Sequence, residues 1–294
     1  MTTEIPDQSP SKVTYSPSPR PSFDVPTLIS RAGVTRHIWG DEEAGLVADW
    51  IYASTERVHA LVFGLAQGQA FRHSREFRTV FGADEVLYVL AGTMILANPE
   101  SGEVERVERG ESIFFRPDTW HHAFAHGSEP LRVLELFAPP PAAGASGAYS
   151  RTRPFLEAST YVDKSVLGNL PSAEGRARTL HPVTRANVAC LLDGDALIGL
   201  QASTEHITVG TLSLSPGAAS TIHEHGGDEV LYCLAGTLHV RAWFEDRTYV
   251  FELERDDAVL LPLGARHEYR NYGADVVEAL FGVAPAYLPE SRER

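Results

Sequence analysis

Asp84-Glu85-Val86-Leu87-Tyr88-Val89-Leu90-Ala91-Gly92-Thr93 recurs later in the chain as Asp228-Glu229-Val230-Leu231-Tyr232-Cys233-Leu234-Ala235-Gly236-Thr237. A single position of the ten differs, and Glu85 and Glu229 stand 144 residues apart. Such a match marks an internal duplication whose unit is the size of a small domain. An apolar run precedes each copy, Val58 to Leu65 and Ile207 to Leu214. Further β-like runs follow the second copy: Leu238 to Trp243, Thr248 to Leu253, Ala258 to Leu261 and Val276 to Val283. Gly, Pro and Asp separate these runs, the pattern of an antiparallel barrel or sandwich. Helical periodicity is weak, and Ala158 to Gly168 is the stretch read as a short helix.

The chain has 294 residues, enough for two domains with separate cores. Residues 1–24 are rich in Ser and Pro and read as a disordered arm. The first barrel is assigned to residues 25–138. A linker over 139–180 opens on the Pro139-Pro140-Pro141 run and contains the short helix. The second barrel is assigned to 181–288, with a tail at 289–294.

The net charge of −14 disfavours a nucleic-acid partner, since phosphate binding needs a basic face. No apolar run approaches the roughly 18 to 20 residues of a membrane-spanning helix. The polar N-terminus lacks the pattern of a secretory signal. Two cysteines, Cys190 and Cys233, fit a reducing cytoplasm, with a bridge between them left open. The expected partner is a small-molecule substrate. Two duplicated barrels can pack as an internal pseudo-dimer, and the sequence is compatible with a monomer or a homo-oligomer.

The second half carries the pattern with chemical meaning. His223 and His225 are two apart, so on a strand both imidazoles point to one face. Glu229 opens the next strand, and His267 follows the Pro262-Leu263-Gly264 turn. Three imidazoles and one carboxylate converging inside a barrel form a nitrogen-rich shell for a first-row divalent metal. Open positions remain for substrate, water or oxygen. Three unrelated histidines and a surface glutamate would not fall at these spacings with glycines and a proline at the turns.

The segment Gly217 to Gly236 resembles the first cupin signature at every marked position. Asp256 to Asn271 resembles the second, with Asp256 where the family usually has glycine. The resemblance implies an all-β chain, two tandem double-stranded β-helix (jelly-roll) barrels forming a bicupin, with the metal near one mouth. Both signatures together specify the fold and not the reaction.

The first half departs from that pattern. Glu85 matches Glu229, but the same spacing puts Phe81 and Thr79 where the two histidines stand. His73 lies upstream and supplies a ligand if Ser74 to Ala83 forms a longer loop. Downstream, His121 matches His267 counted from Gly110, and His122 matches it counted from Pro117. A thinner metal site of His73, Glu85 and His121 or His122 is one reading. A barrel that has lost metal is the other.

The expected cofactor is a divalent metal, with Fe(II) favoured and Mn, Ni, Cu or Zn as alternatives. The leading functional expectation is a metal-dependent dioxygenase acting on a small aromatic, enolic or diketone-like substrate, since bicupins of similar size include such enzymes. Glu229 would serve as ligand and, when dissociated, as base. The alternatives are a non-redox isomerase, decarboxylase or lyase using the metal as Lewis acid, and a non-catalytic binding module.

Overall fold

The computed structural model describes residues 18–72, 81–140 and 178–289. Every regular element among them is a strand, numbered β1 to β21 in chain order. The helix expected over Ala158 to Gly168 lies outside the described residues, as does most of the linker. No helix among the described residues is long and apolar enough to cross a membrane.

After β1 (Thr27–Ile29), the first half supplies β2 (Thr35–Asp41), β3 (Gly45–Ser54), β4 (His59–Leu65), β5 (Ala70–Phe71) and β6 (Asp84–Ala91). It continues with β7 (Thr93–Asn98), β8 (Glu103–Glu108), β9 (Ser112–Phe115), β10 (His122–His126) and β11 (Leu131–Ala138). The second half supplies β12 (His181–Val183), β13 (Ala189–Asp193), β14 (Ala196–Ser203), β15 (Thr208–Leu214) and β16 (Gly226–Ala235). Its remaining strands are β17 (Leu238–Phe244), β18 (Arg247–Leu253), β19 (Ala258–Leu261), β20 (Arg266–Arg270) and β21 (Val277–Ala286). The six runs read from the sequence all form strands with nearly the expected limits.

Each barrel closes a seven-stranded sheet over a smaller one. The order is β12-β9-β6-β11-β4-β3-β2 over β5-β10-β7-β8 in the first barrel. It is β1-β19-β16-β21-β15-β14-β13 over β18-β17-β20 in the second. The outer strands are exchanged. β1 pairs with β19 of the second barrel, Thr27 opposite Leu260. β12 pairs with β9 of the first, His181 opposite Phe114. This exchange cuts across the boundaries drawn from the sequence at residues 25 and 181.

Residues 18–24 of the N-terminal arm are among the described residues. They run along the first barrel: the Ser54 amide donates to Pro21 O at 2.6 Å, and the Arg20 guanidinium donates to Ser54 Oγ and Thr55 O. At the far end of the linker, Leu180 is fully buried in the first barrel's core.

Strand alternation explains why the duplicated segment is apolar on both faces. On β6, Leu87 and Val89 point into the first barrel; on β16, Leu231 and Cys233 point into the second. The alternate residues Val86, Leu90, Val230 and Tyr232 form a third core between the two seven-stranded sheets. Cys233 is thus an apolar filler, and both cysteines are free. The repeated glycines Gly92 and Gly236 sit in left-handed turns, at φ 77° and 75°. A Cβ at either would stand within 2.9 Å of a backbone oxygen, so no other residue fits.

Charged groups bridge the barrels with the same symmetry. Asp84 accepts from Thr204 Oγ1 at 2.6 Å, and Asp228 accepts from Arg57 at 3.3 Å. Asp256, the residue in place of the signature glycine, holds φ 72°. Its carboxylate accepts from Tyr232 Oη at 2.7 Å and pairs with Arg31 and Arg132, while its carbonyl accepts from Tyr52 Oη at 2.6 Å. The departure from glycine therefore contributes an inter-barrel anchor.

Candidate metal centre

His223, His225 and His267 meet at the mouth of the second barrel, each offering one ligating atom within 4.8 Å of the others. A backbone bridge makes this meeting specific. The His223 amide donates to His267 O at 2.9 Å, and the His267 amide donates to His223 O at 2.8 Å. Two ligands are thereby clamped side by side, with ring centroids 4.3 Å apart. His225 stands two residues on, just before β16, with its ring 5.0 Å from that of His223. Glu229, on β16, places Oε2 3.1 Å from His267 Nε2 and 3.5 Å from His225 Nε2.

Each imidazole is oriented by its other nitrogen. His223 Nδ1 faces Thr221 O at 2.9 Å, His225 Nδ1 faces Tyr287 O at 2.8 Å, and His267 Nδ1 faces Ala265 O at 2.9 Å. A carbonyl can only accept, so Nδ1 carries the proton in all three, and Nε2 keeps a lone pair for a ligand. Burial lowers the pKa of His223 and His225, which favours the neutral, ligating form.

Burial pushes the Glu229 carboxyl upward, while any protonated imidazole beside it and the hydrogen bond from Tyr269 pull it below the ordinary carboxylate value. It is therefore an anion. Its Oε1 accepts from Tyr269 Oη at 2.6 Å. Its Oε2 is buried with no hydrogen-bond partner among the described residues. An orphaned carboxylate oxygen beside three directed imidazoles is the donor set of a divalent metal, so the residues fit such an ion. The pocket above is small and partly apolar, with Ile198, Phe281 and Tyr287 in its wall.

Sequence reasoning missed Tyr269, whose hydroxyl also lies 2.9 Å from His267 Nε2. The signal was there: Tyr269 is two residues beyond His267 on β20 and shares its face. Asp193, 3.4 Å from His223 Nδ1, had no such signal because its strand was not recognised.

In the first barrel, the choice between the two histidines goes to His121. Its Nε2 lies 3.9 Å from Glu85 Oε2, and its Nδ1 faces Thr119 O, the counterpart of the His267 contact with Ala265. His122, the next residue along, is buried and meets Trp120 edge-on. His73 lies outside the described residues. Phe81, four residues before Glu85 as His225 is before Glu229, turns its ring toward His121 at 5.9 Å. Among the described residues, no group of three metal-type ligands forms in this barrel.

Comparison with known proteins agrees with this architecture. The cupin domain family matches residues 82–137 and 210–283, one stretch in each barrel. A tetracenomycin polyketide synthase protein, TcmJ, of Streptomyces glaucescens is 35% identical over 78 residues, 26% of this chain. The match spans half the length of that relative. Among solved structures, the oxalate decarboxylase formate complex of Lactobacillus farciminis aligns with a TM-score of 0.61 at 17% identity, over 89% of this chain and 87% of that one. A variant of Bacillus subtilis oxalate decarboxylase OxdC aligns with a TM-score of 0.64 at 14% identity, over 92% and 80%. Identities this low speak to fold alone. A cupin domain is matched in each barrel, and the chain has the fold of two tandem jelly-roll barrels.

Proposed function

We propose that the second barrel is the active site of a metal-dependent enzyme, with His223, His225, Glu229 and His267 holding one divalent ion. The observation that carries this reading is the unpartnered Glu229 Oε2 facing imidazoles whose Nδ1 atoms are all committed to backbone carbonyls. When bound, a first-row metal would supply Lewis acidity and, if redox-active as Fe(II) is, a route for electrons to dioxygen. The protein's own part is positional. The Thr221, Tyr287 and Ala265 carbonyls fix the imidazole planes, and the Tyr269 hydroxyl fixes the carboxylate. Ile198, Phe281 and Tyr287 give the pocket an apolar, aromatic wall.

The chemistry best matched to open coordination positions beside such a wall is oxygen-dependent oxidation of a small aromatic, enolic or diketone-like substrate. A specific observation favours a second, non-redox reading. Tyr269 Oη is buried against both Glu229 and His267, and burial beside the Glu229 charge raises its pKa well above the ordinary phenol value. It therefore holds its proton and can lend it to a hydrogen-bonded intermediate, with Glu229 as the base when displaced from the ion. The partial likeness to a polyketide synthase protein brings poly-ketone and phenolic substrates into that reading.

Metal analysis of protein purified without added metal is the first test. Oxygen uptake against catechols, flavonols, β-diketones and aromatic polyketides, with each metal loaded in turn, is the second. Turnover that consumes oxygen supports the dioxygenase. Turnover that continues anaerobically supports the proton-transfer reading. His225→Ala and His267→Ala are each expected to remove most of the bound metal, because losing one of four ligands opens the shell and weakens binding. Unchanged metal per chain in both variants would place the site elsewhere.

A further inference from the structure

A cavity lies in the first barrel, away from the proposed metal. It spans about 730 Å³ counting its open mouth. Strand register shows how it departs from its twin. Asp49, opposite Phe63, stands where Ile198 stands opposite Leu212. Glu135, opposite Leu87, stands where Phe281 stands opposite Leu231. Two apolar positions of one barrel have thus become carboxylic acids in the other, and Glu85 remains as the third.

Asp49 and Glu135 line this cavity and Glu85 is buried against Glu135, with no described Lys or Arg in an ion pair with any of them. Arg20, at the mouth, is committed to Ser54 Oγ and Thr55 O. The two histidines nearby supply no countercharge: burial holds His121 down to about 4, and burial with the Arg20 charge holds His59 down to about 3. Glu85 is 1% exposed, and its Oε2 has no hydrogen-bond partner among the described residues. It touches Glu135 and faces His121, both of which line the cavity. Burial pushes Glu135 up to about 7, as expected of a carboxyl lacking a cation. The rest of the wall is aromatic: Trp39, Phe63, Phe71, Phe81 and Phe137. Phe81 and Phe137 are stacked, 19° from parallel.

We propose that this cavity is a second ligand site, taking a small organic ammonium ion whose charge meets Glu135, Asp49 and Glu85 and whose body lies among the aromatic rings. Burial raises all three carboxyls, so they hold protons when the cavity is empty, and an ammonium among them would favour their ionised form. Aromatic faces attract the same cation and shelter its hydrocarbon part. A divalent metal fits less well, since the described residues offer it no group of three ligands and a phenyl ring occupies the second-histidine position. The site is independent of the chemistry proposed for the second barrel.

The test uses the full-length protein and phenethylammonium chloride, followed by calorimetry and by the fluorescence change of Trp39. The neutral isostere 2-phenylethanol is the reference. The ammonium is expected to bind at least about tenfold more tightly than the alcohol, the worth of one charge-assisted contact. Glu135→Gln is expected to weaken it by about tenfold or more. Phe81→Leu, which keeps every carboxylate, is expected to weaken it as well. His225→Ala, in the other barrel, should leave binding unchanged. Equal affinity for the alcohol, or no binding at about 10 mM, would overturn the assignment. So would a bound divalent metal that competes with the amine and is lost in Glu85→Gln protein.

Discussion

Tyr269 is the residue on which the two chemistries of the second barrel divide. Its hydroxyl touches Glu229 Oε1 and lies beside His267 Nε2, so it would act on a bound metal through the proposed ligands. Tyr269→Phe keeps the ring and removes that contact. Metal affinity is expected to fall by roughly tenfold to a hundredfold, the usual effect of losing an outer partner of a ligand. A chelator competition reads this directly. If the hydroxyl also moves a proton, kcat falls in metal-saturated protein while KM changes little. Unaltered affinity and kcat would remove Tyr269 from the site. At this scale the ligand geometry was readable in the sequence, because His223, His225, Glu229 and His267 are tied together by period-two alternation and turn spacing. The acids of the first barrel carried a signal too. Asp49 alternates with Val47 and Ile51, and Glu135 with Val133 and Phe137, so each is a charge on a face that is otherwise apolar. What no spacing could supply was that strands so far apart in the chain bring both acids to Glu85.

Strands were read well and their partners were not. Apolar runs bounded by turn residues locate β4, β15, β17 and β19, yet nothing within β1 or β12 says that each joins the other barrel's sheet. Three-residue strands carry too little pattern, and their pairing is fixed by the curvature of a sheet formed elsewhere in the chain. β1 covers the edge of β19 and sends Ile29, 7% exposed, into the core between the barrels. Ile29→Ala is therefore expected to cost about 2–4 kcal/mol, as for other buried isoleucines, measured by denaturant unfolding. Removing residues 1–30 has a different consequence. It bares a β19 edge whose residues are almost wholly buried in the intact chain. An uncovered edge of that kind recruits another strand, so concentration-dependent association is expected by size exclusion. A monodisperse truncated protein with an unchanged melting temperature would show that β1 contributes little to the edge.

Exchanged strands, the shared core and the Asp256 anchor make the two barrels one mechanical unit. Loss of the second barrel strips β12 of its chain connection and exposes Tyr52, Val62 and Val86 on the first. The barrels should then unfold together, and a ligand bound by one should stabilise both. The chain offers a clean reporter. Its four tryptophans are Trp39, Trp50, Trp120 and Trp243, and only Trp243 belongs to the second barrel. In Trp243→Phe protein the fluorescence therefore reports the first barrel alone, some distance in sequence from the proposed metal ligands. Metal at about a hundredfold over its dissociation constant stabilises the folded state by about 2.7 kcal/mol. If folding is shared, that increment appears in the fluorescence transition of the first barrel, and a chelator reverses it. A first-barrel transition indifferent to metal, alongside a shifted far-ultraviolet circular dichroism transition, would mean that the second barrel melts alone. The exchange of β1 and β12 would then be a contact between independent folding units rather than the joint that couples them.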